Sequence, residues 1–343
     1  MTRVVSRFVA VLAALVLGPA SAQPAASWCV AVWYPSSEHP GGAASLAANL
    51  DLIDIVHAFW FTPDATGKLI DRSGSDADEK VATWRAAGAL VVPSVFSGHS
   101  TFLAEDLVQE HIAQILALVD ERGFDGIDLD YEGFPVDTRE PFSRFVEVLA
   151  DELHARGKLL FVTVHAKTED ITPYSGSTAQ DWPRLTAAAD VFNLMTYDYT
   201  NRNEPPGPVA DLAWVDQVVA YADSVTDLGK VVVGLPFYGY SWNRGRPPAV
   251  ATTWEAADRM VRQFSLAPER DLASGELHVE LRVTGLPRQD LFVSDAETTA
   301  GRLERLPEHT GGVAIWGIGG EDPANWEVLR KARPASCGLR GVP

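Results

Sequence analysis

The chain is poor in cysteine and in basic residues, and after residue 22 it has no apolar run long enough to cross a bilayer. It has 2 cysteines, and its 28 lysines and arginines are outnumbered by 46 aspartates and glutamates, giving a formal net charge of −18 at pH 7. Because nucleic-acid phosphates require a basic surface, this balance excludes nucleic acid as a partner and disfavours binding to anionic lipid. The charge sets no limit on a neutral ligand.

The N-terminus has the three parts of a secretory signal. Arg3 and Arg7 precede an apolar stretch over 8–17, and the small residues Ala-Ser-Ala follow at 20–22. We therefore predict a cleaved signal peptide over 1–22 and a secreted or periplasmic protein with no membrane anchor. An uncleaved N-terminal anchor is the alternative.

Strand-like and helix-like segments alternate along the rest of the chain, which predicts a parallel sheet with helices between its strands. The count is eight, as in an α/β fold of the (β/α)8 TIM-barrel type, and we expect one such domain over 28–337. The predicted strands cover 29–34, 53–61, 89–97, 126–131, 159–166, 191–197, 230–237 and 312–318.

One interval is too long for a single helix and two loops. About 75 residues separate the seventh and eighth predicted strands. They include a helical pattern at 254–264 and β-like segments at 276–283 and 290–294. We predict an α+β insertion subdomain over 238–311 that forms one wall of a cleft.

The sequence DGIDLDYE at 125–132 is the most informative segment. In a strand, alternate side chains face opposite ways, so Asp128, Asp130 and Glu132 share one face. Like charges this close cannot all ionise, and a protonated carboxyl beside an ionised one suits general acid catalysis. A solvated acidic loop or a calcium site is the alternative, but neither predicts acids interleaved with Ile, Leu and Tyr.

Other candidate residues fall at the ends of later predicted strands. The active sites of barrels lie at the C-terminal ends of their strands, where Glu132, Tyr197, Asp198 and Trp316 would meet. Asp125 has the opposite parity from the three acids, so we expect it to be structural. His165 ends the fifth predicted strand and could face the same mouth, but we expect it to be a satisfied histidine and not a catalytic one.

The segment at 125–132 resembles the DxxDxDxE signature of glycoside hydrolase family 18, the chitinase-like glycosidases. The resemblance covers roughly 28–333 and extends to NLMTYDY (193–199), GLPFYGYSW (234–242) and GGVAIWGIGGED (311–322). EPPGPVADLAWV at 204–215 and the ending GIGGEDPANW look like the bacterial branch with spore-germination and cell-wall N-acetylglucosaminidases. The resemblance implies an enzyme that cuts β-1,4 bonds in a GlcNAc-containing polysaccharide or glycan.

The resemblance also implies a mechanism and roles for its residues. Glu132 would be the general acid and base, and the 2-acetamido group of the substrate would attack C1, giving an oxazolinium intermediate. Asp130 would orient the acetamide and share a proton with Asp128. Tyr197, assisted by Asp198, would hold the acetamide carbonyl. No metal or other cofactor is implied, and we expect a monomer.

Candidate substrate-binding residues are mostly aromatic. Trp316 would stack on the sugar, and Met195 would line the floor of the cleft. Three other aromatic residues would either line the cleft or pack inside the barrel: Trp33, Phe59 and Tyr238. The family usually has SxGG after its third strand, but here SVFSGHS (94–100) places Ser97 where a glycine is expected.

Two further expectations concern the cysteines and a non-enzymatic alternative. Cys29 opens the first strand and Cys337 follows the last helix, two points that meet at the bottom of a barrel, so we predict one disulfide. The alternative function is a chitinase-like lectin that binds GlcNAc oligomers without cutting them. Such proteins typically lose the acid that corresponds to Glu132, which this chain retains.

Overall fold

The computed structural model describes residues 28–35, 41–334 and 336–339, so the predicted signal peptide over 1–22 lies outside the described residues. The strands, in chain order, are β1 (Cys29–Pro35), β2 (Ile55–Pro63), β3 (Leu69–Asp71), β4 (Leu90–Val91), β5 (Ser94–Ser97), β6 (Gly126–Tyr131), β7 (Leu159–His165), β8 (Val191–Met195), β9 (Val231–Pro236), β10 (Gly239–Asn243), β11 (Val250–Thr252), β12 (Glu269–Arg270), β13 (Leu277–Leu281), β14 (Gln289–Val293) and β15 (Gly312–Trp316).

Helices separate the strands almost throughout, as the alternating pattern predicts. They are α1 (Gly42–Ala48), α2 (Ala77–Ala86), α3 (Val108–Arg122), α4 (Arg139–His154), α5 (Ser175–Thr178), α6 (Trp182–Ala188), α7 (Leu212–Val225), α8 (Trp254–Phe264), α9 (Ala296–Leu303) and α10 (Ala324–Ala332). Within the described ranges, no helix is both long enough and apolar enough to cross a membrane.

The parallel strands close into a barrel. Their order is β1, β15, β9, β8, β7, β6, β5 and β2, and β1 also pairs with β2, which leaves no open edge. This closure confirms the predicted (β/α)8 TIM barrel. The antiparallel strand β3 extends β2 through a hairpin, in which Gly67 takes a positive φ of 85°.

The third barrel position differs in detail from the single strand predicted over 89–97. It is divided into β4, which pairs with β2, and β5, which pairs with β2 and β6. Pro93 lies in the break, and because proline has no backbone N–H it cannot donate a hydrogen bond to a neighbouring strand. Its carbonyl still accepts a hydrogen bond of 2.9 Å from the backbone N of Asp128.

The two faces of each barrel strand pack against different groups of side chains, one between the barrel and the helices and one inside the barrel. On β6, Ile127, Leu129 and Tyr131 belong to the large apolar cluster shared with the surrounding helices. Asp128 and Asp130 therefore point into the barrel, as the alternation predicts. A smaller cluster fills the interior and includes Trp33, Phe161 and Ala314.

The interval between β9 and β15 contains a second sheet. Its five strands lie in the order β11, β10, β14, β13, β12 and pair antiparallel. In chain order the sheet begins with β10, which follows directly after β9 ends at the mouth of the barrel. β10 is therefore also part of the predicted active site at that mouth.

A disulfide joins Cys29, the first residue of β1, to Cys337, which follows α10, across a sequence separation of 308 residues. The predicted disulfide is therefore confirmed. The bond lies at the bottom of the barrel, opposite the ends of the strands that carry the acidic residues.

Candidate active site

Along β6, Asp130 lies closer than Asp128 to the mouth of the barrel, and Glu132 directly follows the end of the strand. Asp128 is fully buried and Asp130 is 5% exposed, whereas the Glu132 side chain is 31% exposed. The backbone N of Glu132 donates a 2.8 Å hydrogen bond to the carbonyl oxygen of Ser97, at the end of β5. The backbone carbonyl of Ser97 thus holds the backbone at Glu132. Ser97 is the residue that stands where a glycine was expected.

Asp128 is held by donors from four different strands. The hydrogen bonds to its carboxyl oxygens are 2.6 Å from Ser94 Oγ, 2.8 Å from Thr163 Oγ1, 3.2 Å from Trp33 Nε1 and 3.5 Å from Asn193 Nδ2. Every donor sits on a strand of the closed barrel, so the barrel itself fixes the orientation of this carboxyl group.

His57 completes the buried layer around Asp128. Its Nδ1 lies 2.9 Å from the carbonyl oxygen of Val92, which can only accept, so Nδ1 carries the proton. Asn193 Nδ2 lies 3.3 Å from His57 Nε2 and donates to it. Burial lowers the pKa of His57, and the charge of Asp128 opposes that change.

Asp130 lies between two other carboxyl groups. Burial raises the pKa of Asp130 well above its usual value, and the charges of Glu132 and Asp128 raise it further. The pKa of Asp130 therefore lies well above that of an ordinary aspartate. Its Oδ1 is buried and has no hydrogen-bond partner among the described residues, so the fold leaves this acceptor unsatisfied.

Glu132 also has a raised pKa. Burial is the main cause and the charge of Asp198 adds to it, bringing the pKa of Glu132 to about 7. A carboxyl group with this pKa is partly protonated at neutral pH, as general acid catalysis requires. His165 Nε2 lies 3.5 Å from Glu132 Oε2, and burial lowers the pKa of His165 to about 4, so the imidazole is neutral.

Tyr197 and Asp198 follow the end of β8, where the chain turns sharply. Asp198 has a φ of +58°, a left-handed conformation that aspartate tolerates better than most residues. Tyr238 and Tyr240 donate hydrogen bonds to Asp198 Oδ1, the second at 2.9 Å. Desolvation raises the pKa of Asp198, and these two hydrogen bonds oppose the rise.

The Tyr197 phenol faces the acidic residues. Burial raises the pKa of Tyr197 well above its usual value, and the charges of Asp130 and Glu132 raise it further, so its hydroxyl keeps its proton. The ring depends on Gly234 in β9, since a Cβ there would lie 2.8 Å from Tyr197 Cε1.

The aromatic candidates divide between the mouth and the interior. Trp316 and Phe59 are partly exposed, with ring centroids 5.5 Å apart. Trp33 is only 1% exposed and lies beneath Trp316, at 6.4 Å between ring centroids. Trp33 therefore packs the barrel and holds Asp128 instead of offering a surface to a ligand. Met195 and Tyr238 are also buried, 9% and 7% exposed.

Comparison with known proteins identifies the family. The family model described as glycosyl hydrolases family 18 matches residues 89–283, more than half of the chain. The chain belongs to this family. The resemblance stated from its motifs is therefore confirmed.

Curated relatives are distant. The chain is 22% identical to a protein named uncharacterized glycosylase YvbX from Bacillus subtilis, over 64% of each sequence. It is 25% identical to a cortical fragment-lytic enzyme from Bacillus anthracis, over 70% of this chain and 58% of the relative. The chain thus spans less than two thirds of the length of either relative.

Solved structures share the fold of this chain. A chitinase from Chromobacterium violaceum aligns with a TM-score of 0.83 at 21% identity, covering 90% of this chain and 100% of that one. The spore cortex-lytic enzyme SleL from Bacillus cereus also gives a TM-score of 0.83, at 20% identity, covering 91% of this chain and 75% of that one.

Several residues of the site were missed by reasoning from the sequence. Ser94 and Thr163 share the inward parity of their strands with the acids, and this signal could have found them. His57 has the same parity on β2. Tyr240 gave no such signal because its strand belongs to the insertion. His165, which was expected to face the mouth only as a satisfied histidine, lies there with its Nε2 3.5 Å from Glu132 Oε2.

A possible metal cluster lies in the insertion sheet. Ligand atoms of His278, Glu280 and Asp290 all lie within 4.8 Å of one another. However, Arg288 Nη2 is 3.0 Å from Asp290 Oδ1, and Arg282 forms an ion pair with Glu280. Because guanidinium groups already neutralise both carboxylates, this cluster is poorly suited to a cation.

Proposed function

We propose that this family 18 enzyme is an exported glycosidase that hydrolyses β-1,4 bonds next to GlcNAc by substrate-assisted, retaining catalysis. The observation that carries the proposal is the pairing of Glu132, whose pKa is about 7, with Asp130, whose pKa is raised well above its usual value and whose Oδ1 has no partner among the described residues. A retaining glycosidase with its own nucleophile requires a second ionised carboxylate. Burial and a raised pKa make Asp130 a poor nucleophile, whereas its unpartnered oxygen can accept a hydrogen bond from an acetamide.

In the proposed reaction, Glu132 donates its proton to the glycosidic oxygen as the bond to C1 breaks. The acetamide carbonyl oxygen of the sugar then bonds to C1, which gives a cyclic oxazolinium ion and an ionised Glu132. Water next attacks C1 from the side the leaving group vacated and gives a proton to Glu132, while the bond between C1 and the acetamide oxygen breaks and the acetamide is restored. The acid is regenerated and the configuration at C1 is retained.

The surrounding residues would place the acetamide group. Asp130 Oδ1, which has no partner among the described residues, would accept a hydrogen bond from the acetamide N–H. The protonated hydroxyl of Tyr197 would donate to the acetamide carbonyl oxygen and hold it beneath C1. Asp198, fixed by two tyrosine hydroxyls, would assist from the neighbouring position. Trp316 would stack on the sugar ring.

The polymer is the finer part of the proposal. The mechanism demands an acetamido sugar, which fits chitin, peptidoglycan strands and the core of N-linked glycans, and excludes cellulose and starch. Similarity to a protein named cortical fragment-lytic enzyme favours peptidoglycan. Export rests on the signal sequence predicted over 1–22.

The test is mass spectrometry of products from chitin oligomers and, separately, from purified peptidoglycan. The native enzyme should release products from at least one, with masses that identify the bond cut. Glu132→Gln should lower kcat by roughly 10²–10⁴-fold, the usual contribution of general acid–base catalysis, and still bind the sugar. Glu308→Gln, an exposed glutamate before β15, is the matched control and should behave as the native enzyme.

The lectin alternative makes the opposite prediction. A binding protein would bind chitin oligomers with the same affinity in its native form and as the Glu132→Gln variant. It would release no product from any acetamido sugar. That result would refute the catalytic proposal.

A further inference from the structure

Five exposed arginines lie on three segments beside the mouth of the barrel. The first segment is the loop after β8, the second is the turn after β10, and the third is the turn between β13 and β14. The five are Arg202, Arg244, Arg246, Arg282 and Arg288, and together they are called the arginine cluster. A cluster of cations stands out in a chain whose 46 acidic residues outnumber its 28 basic ones.

Hydrogen bonds between the backbones hold the three segments together. Ala249 N donates to the carbonyl oxygen of Arg202 at 2.6 Å, which joins the loop after β8 to the turn after β10. Arg244 N donates to the carbonyl oxygen of Arg288, also at 2.6 Å, which joins that turn to the third segment. The guanidinium of Arg288 lies beside the same turn, since its Cζ is 3.6 Å from the position that a Cβ on Gly245 would take.

The cluster lies on the side of the second sheet that faces the proposed active site. Tyr240 on β10 donates to Asp198 Oδ1 at 2.9 Å, so the face of the sheet that carries Tyr240 is turned to the mouth. Phe292 lies directly opposite Tyr240 on β14, and Asp290, two residues earlier, shares that face. Arg288 Nη2 lies 3.0 Å from Asp290 Oδ1, which places its guanidinium on the same side.

Arg202 is the member of the cluster nearest in sequence to the acidic residues of the site. It follows Asp198 by four residues in the loop after β8. Burial and the charge of Asp198 raise the pKa of Tyr240, and the positive charge of Arg202 opposes that rise. Because such an effect requires proximity, Arg202 lies near the phenol that holds Asp198.

Two of the five arginines are neutralised by carboxylates of the sheet. Arg282 forms an ion pair with Glu280, and Arg288 forms one with the buried Asp290. Both guanidinium groups remain partly open to solvent, with side chains 46% and 49% exposed. These two pairs contribute no net charge to the cluster.

The other three arginines form no ion pair with any carboxylate of the described residues. They are Arg202, Arg244 and Arg246. Glu204, the carboxylate closest to Arg202 in sequence, accepts hydrogen bonds from the backbone N and the Nδ2 of Asn201 instead. Most other arginines in the described part of the chain are paired with carboxylates. The five arginines thus outnumber the three carboxylates around them, which gives the cluster an excess of positive charge.

The turn after β10 carries one of these cations in a strained conformation. Arg244 has a φ of +58°, in the left-handed region that glycine and asparagine adopt more readily. The next residue, Gly245, also has a positive φ, of 63°. Backbone strain of this kind is concentrated where a side chain has a function. A binding role for its side chain accounts for an arginine at position 244.

We propose that the arginine cluster binds the carboxylates of an anionic glycan, so that the preferred polymer is one in which a sugar next to GlcNAc carries a carboxylate. A guanidinium group offers parallel N–H donors that match the two oxygens of a carboxylate. Peptidoglycan strands have such groups on their lactyl and peptide substituents, whereas chitin is neutral. The inference deepens the proposed function and rests on it, because it identifies which acetamido polymer the site accepts.

The charge of the whole molecule adds to this preference. With a formal net charge of −18, most of the surface repels an anionic strand, so the cluster is where such a strand is attracted and oriented. Because salt screens interactions between exposed charges, the preference should weaken as the ionic strength rises.

The binding test uses Glu132→Gln, so that the ligand is not consumed. Calorimetry compares three soluble oligomers of equal length: a chitin oligomer, a peptidoglycan oligomer without peptides, and the same oligomer with its peptides, the last two freed of phosphate-bearing polymers. At least one peptidoglycan oligomer should bind more tightly than the chitin oligomer. The difference should shrink as NaCl is raised from about 0.05 M to about 0.5 M. Equal affinity for all three at low salt would overturn the proposal.

The two peptidoglycan oligomers distinguish the sources of the carboxylate. In the peptide-free oligomer the lactyl group ends in a carboxylate, whereas in the other this group is bonded to the peptide, whose own carboxylates remain. Tighter binding of the peptide-free oligomer would assign the lactyl carboxylate as the ligand. A preference confined to the peptide-bearing oligomer would assign the carboxylates of the peptide.

Substitution of unpaired arginines tests whether the cluster is responsible. Arg202→Gln with Arg246→Gln, made in the Glu132→Gln background, should weaken binding of the preferred peptidoglycan oligomer by roughly 2- to 30-fold, the range expected for two exposed ion pairs. The ratio of its affinity to that of the chitin oligomer should therefore fall. Arg72→Gln with Arg144→Gln is the matched control, because it removes two exposed arginines outside the cluster and changes the net charge equally. An equal loss in both double variants would reduce the effect to net charge and refute a local site.

Failure of this proposal is distinguishable from failure of the proposed function. Absence of turnover by the native enzyme on every acetamido sugar would refute the proposed function, whichever oligomers bind. Turnover of peptidoglycan and chitin oligomers with equal kcat/KM, unchanged by Arg202→Gln with Arg246→Gln, would refute only the role of the cluster. Thermal unfolding of each variant checks that it is folded.

Discussion

At the scale of single residues, the protonation state of Glu132 is set by its neighbours. Burial of the carboxyl, and to a smaller extent the charge of Asp198, raise the pKa of Glu132 to about 7. Because the general acid must be protonated, the native rate should fall as the pH rises through about 7.

Replacing Asp198 should shift the basic limb of the pH–rate profile, the pH range over which the rate falls as the pH rises. Asp198→Asn removes a negative charge that disfavours ionised Glu132, so the pKa of Glu132 falls and the basic limb should move to lower pH by roughly half a unit to one unit. The maximal rate should also decrease because Asp198 is proposed to assist Tyr197. Profiles normalised to their maxima isolate the shift, and Asp223→Asn, at an exposed aspartate of α7, is the control. A limb unchanged from the native enzyme would contradict this electrostatic account.

The contribution of each buried hydrogen bond around Asp128 to the free energy of unfolding should be measurable separately. Thr163→Val keeps the shape of the side chain but removes the 2.8 Å hydrogen bond to Asp128. The free energy of unfolding should fall by about 1–3 kcal/mol, the usual cost of losing a hydrogen bond to a buried charged group. Urea denaturation measures the change.

The matched control uses an exposed threonine. The hydroxyl of Thr83 in α2 donates to the carbonyl of Glu79 in its own helix, so Thr83→Val should change stability by no more than about 0.5 kcal/mol. Equal effects at Thr163 and Thr83 would show that the Asp128 contact contributes little.

At the scale of elements, β8 and β9 approach so closely that only glycine fits between them. A Cβ on Gly234 would lie 2.5 Å from the Leu194 carbonyl oxygen as well as against the Tyr197 ring. The proposed catalytic tyrosine therefore depends on a small residue in the neighbouring strand.

Gly234→Ala should displace Tyr197 and strain the strand pair. We expect a loss of about 1–3 kcal/mol in stability from overpacking, and a fall in kcat with Tyr197 displaced. Gly301→Ala in α9, where a Cβ meets nothing within 4 Å, should leave kcat unchanged and stabilise the helix by up to about 1 kcal/mol. Retention of native kcat by Gly234→Ala would disprove the dependence of Tyr197 on this glycine.

At the scale of the whole molecule, the disulfide Cys29–Cys337 closes a loop of nearly the entire described chain. In the loop-entropy account, such a crosslink stabilises the fold by about 5 kcal/mol through the unfolded state. The double variant Cys29→Ala with Cys337→Ala should therefore unfold at a lower temperature. Its kcat at 25 °C should match the native value, because the bond lies at the end of the barrel opposite the acids.

The comparison with reduction provides the control. Reduced native protein should unfold at nearly the temperature of the double variant, and reduction should not affect the double variant itself. Equal unfolding temperatures for the oxidised and reduced native protein would contradict the predicted stabilisation.

The sequence by itself determined the barrel and the line of acids. Alternation over Asp128, Asp130 and Glu132 set which side chains face inward, because the two-residue period is a property of any extended strand. The β/α alternation similarly determined the closed sheet, and the positions of Cys29 and Cys337 in that fold determined the disulfide.

The tertiary structure decided the surroundings of those acids. Trp33 could have lined the cleft, and only barrel closure shows its indole N–H bonded to Asp128. The contact between His165 and Glu132, and the hydrogen bond from Tyr240 to Asp198, join segments far apart in the chain. The raised pKa of Glu132 likewise depends on burial and on distances between such segments, which a one-dimensional pattern does not contain.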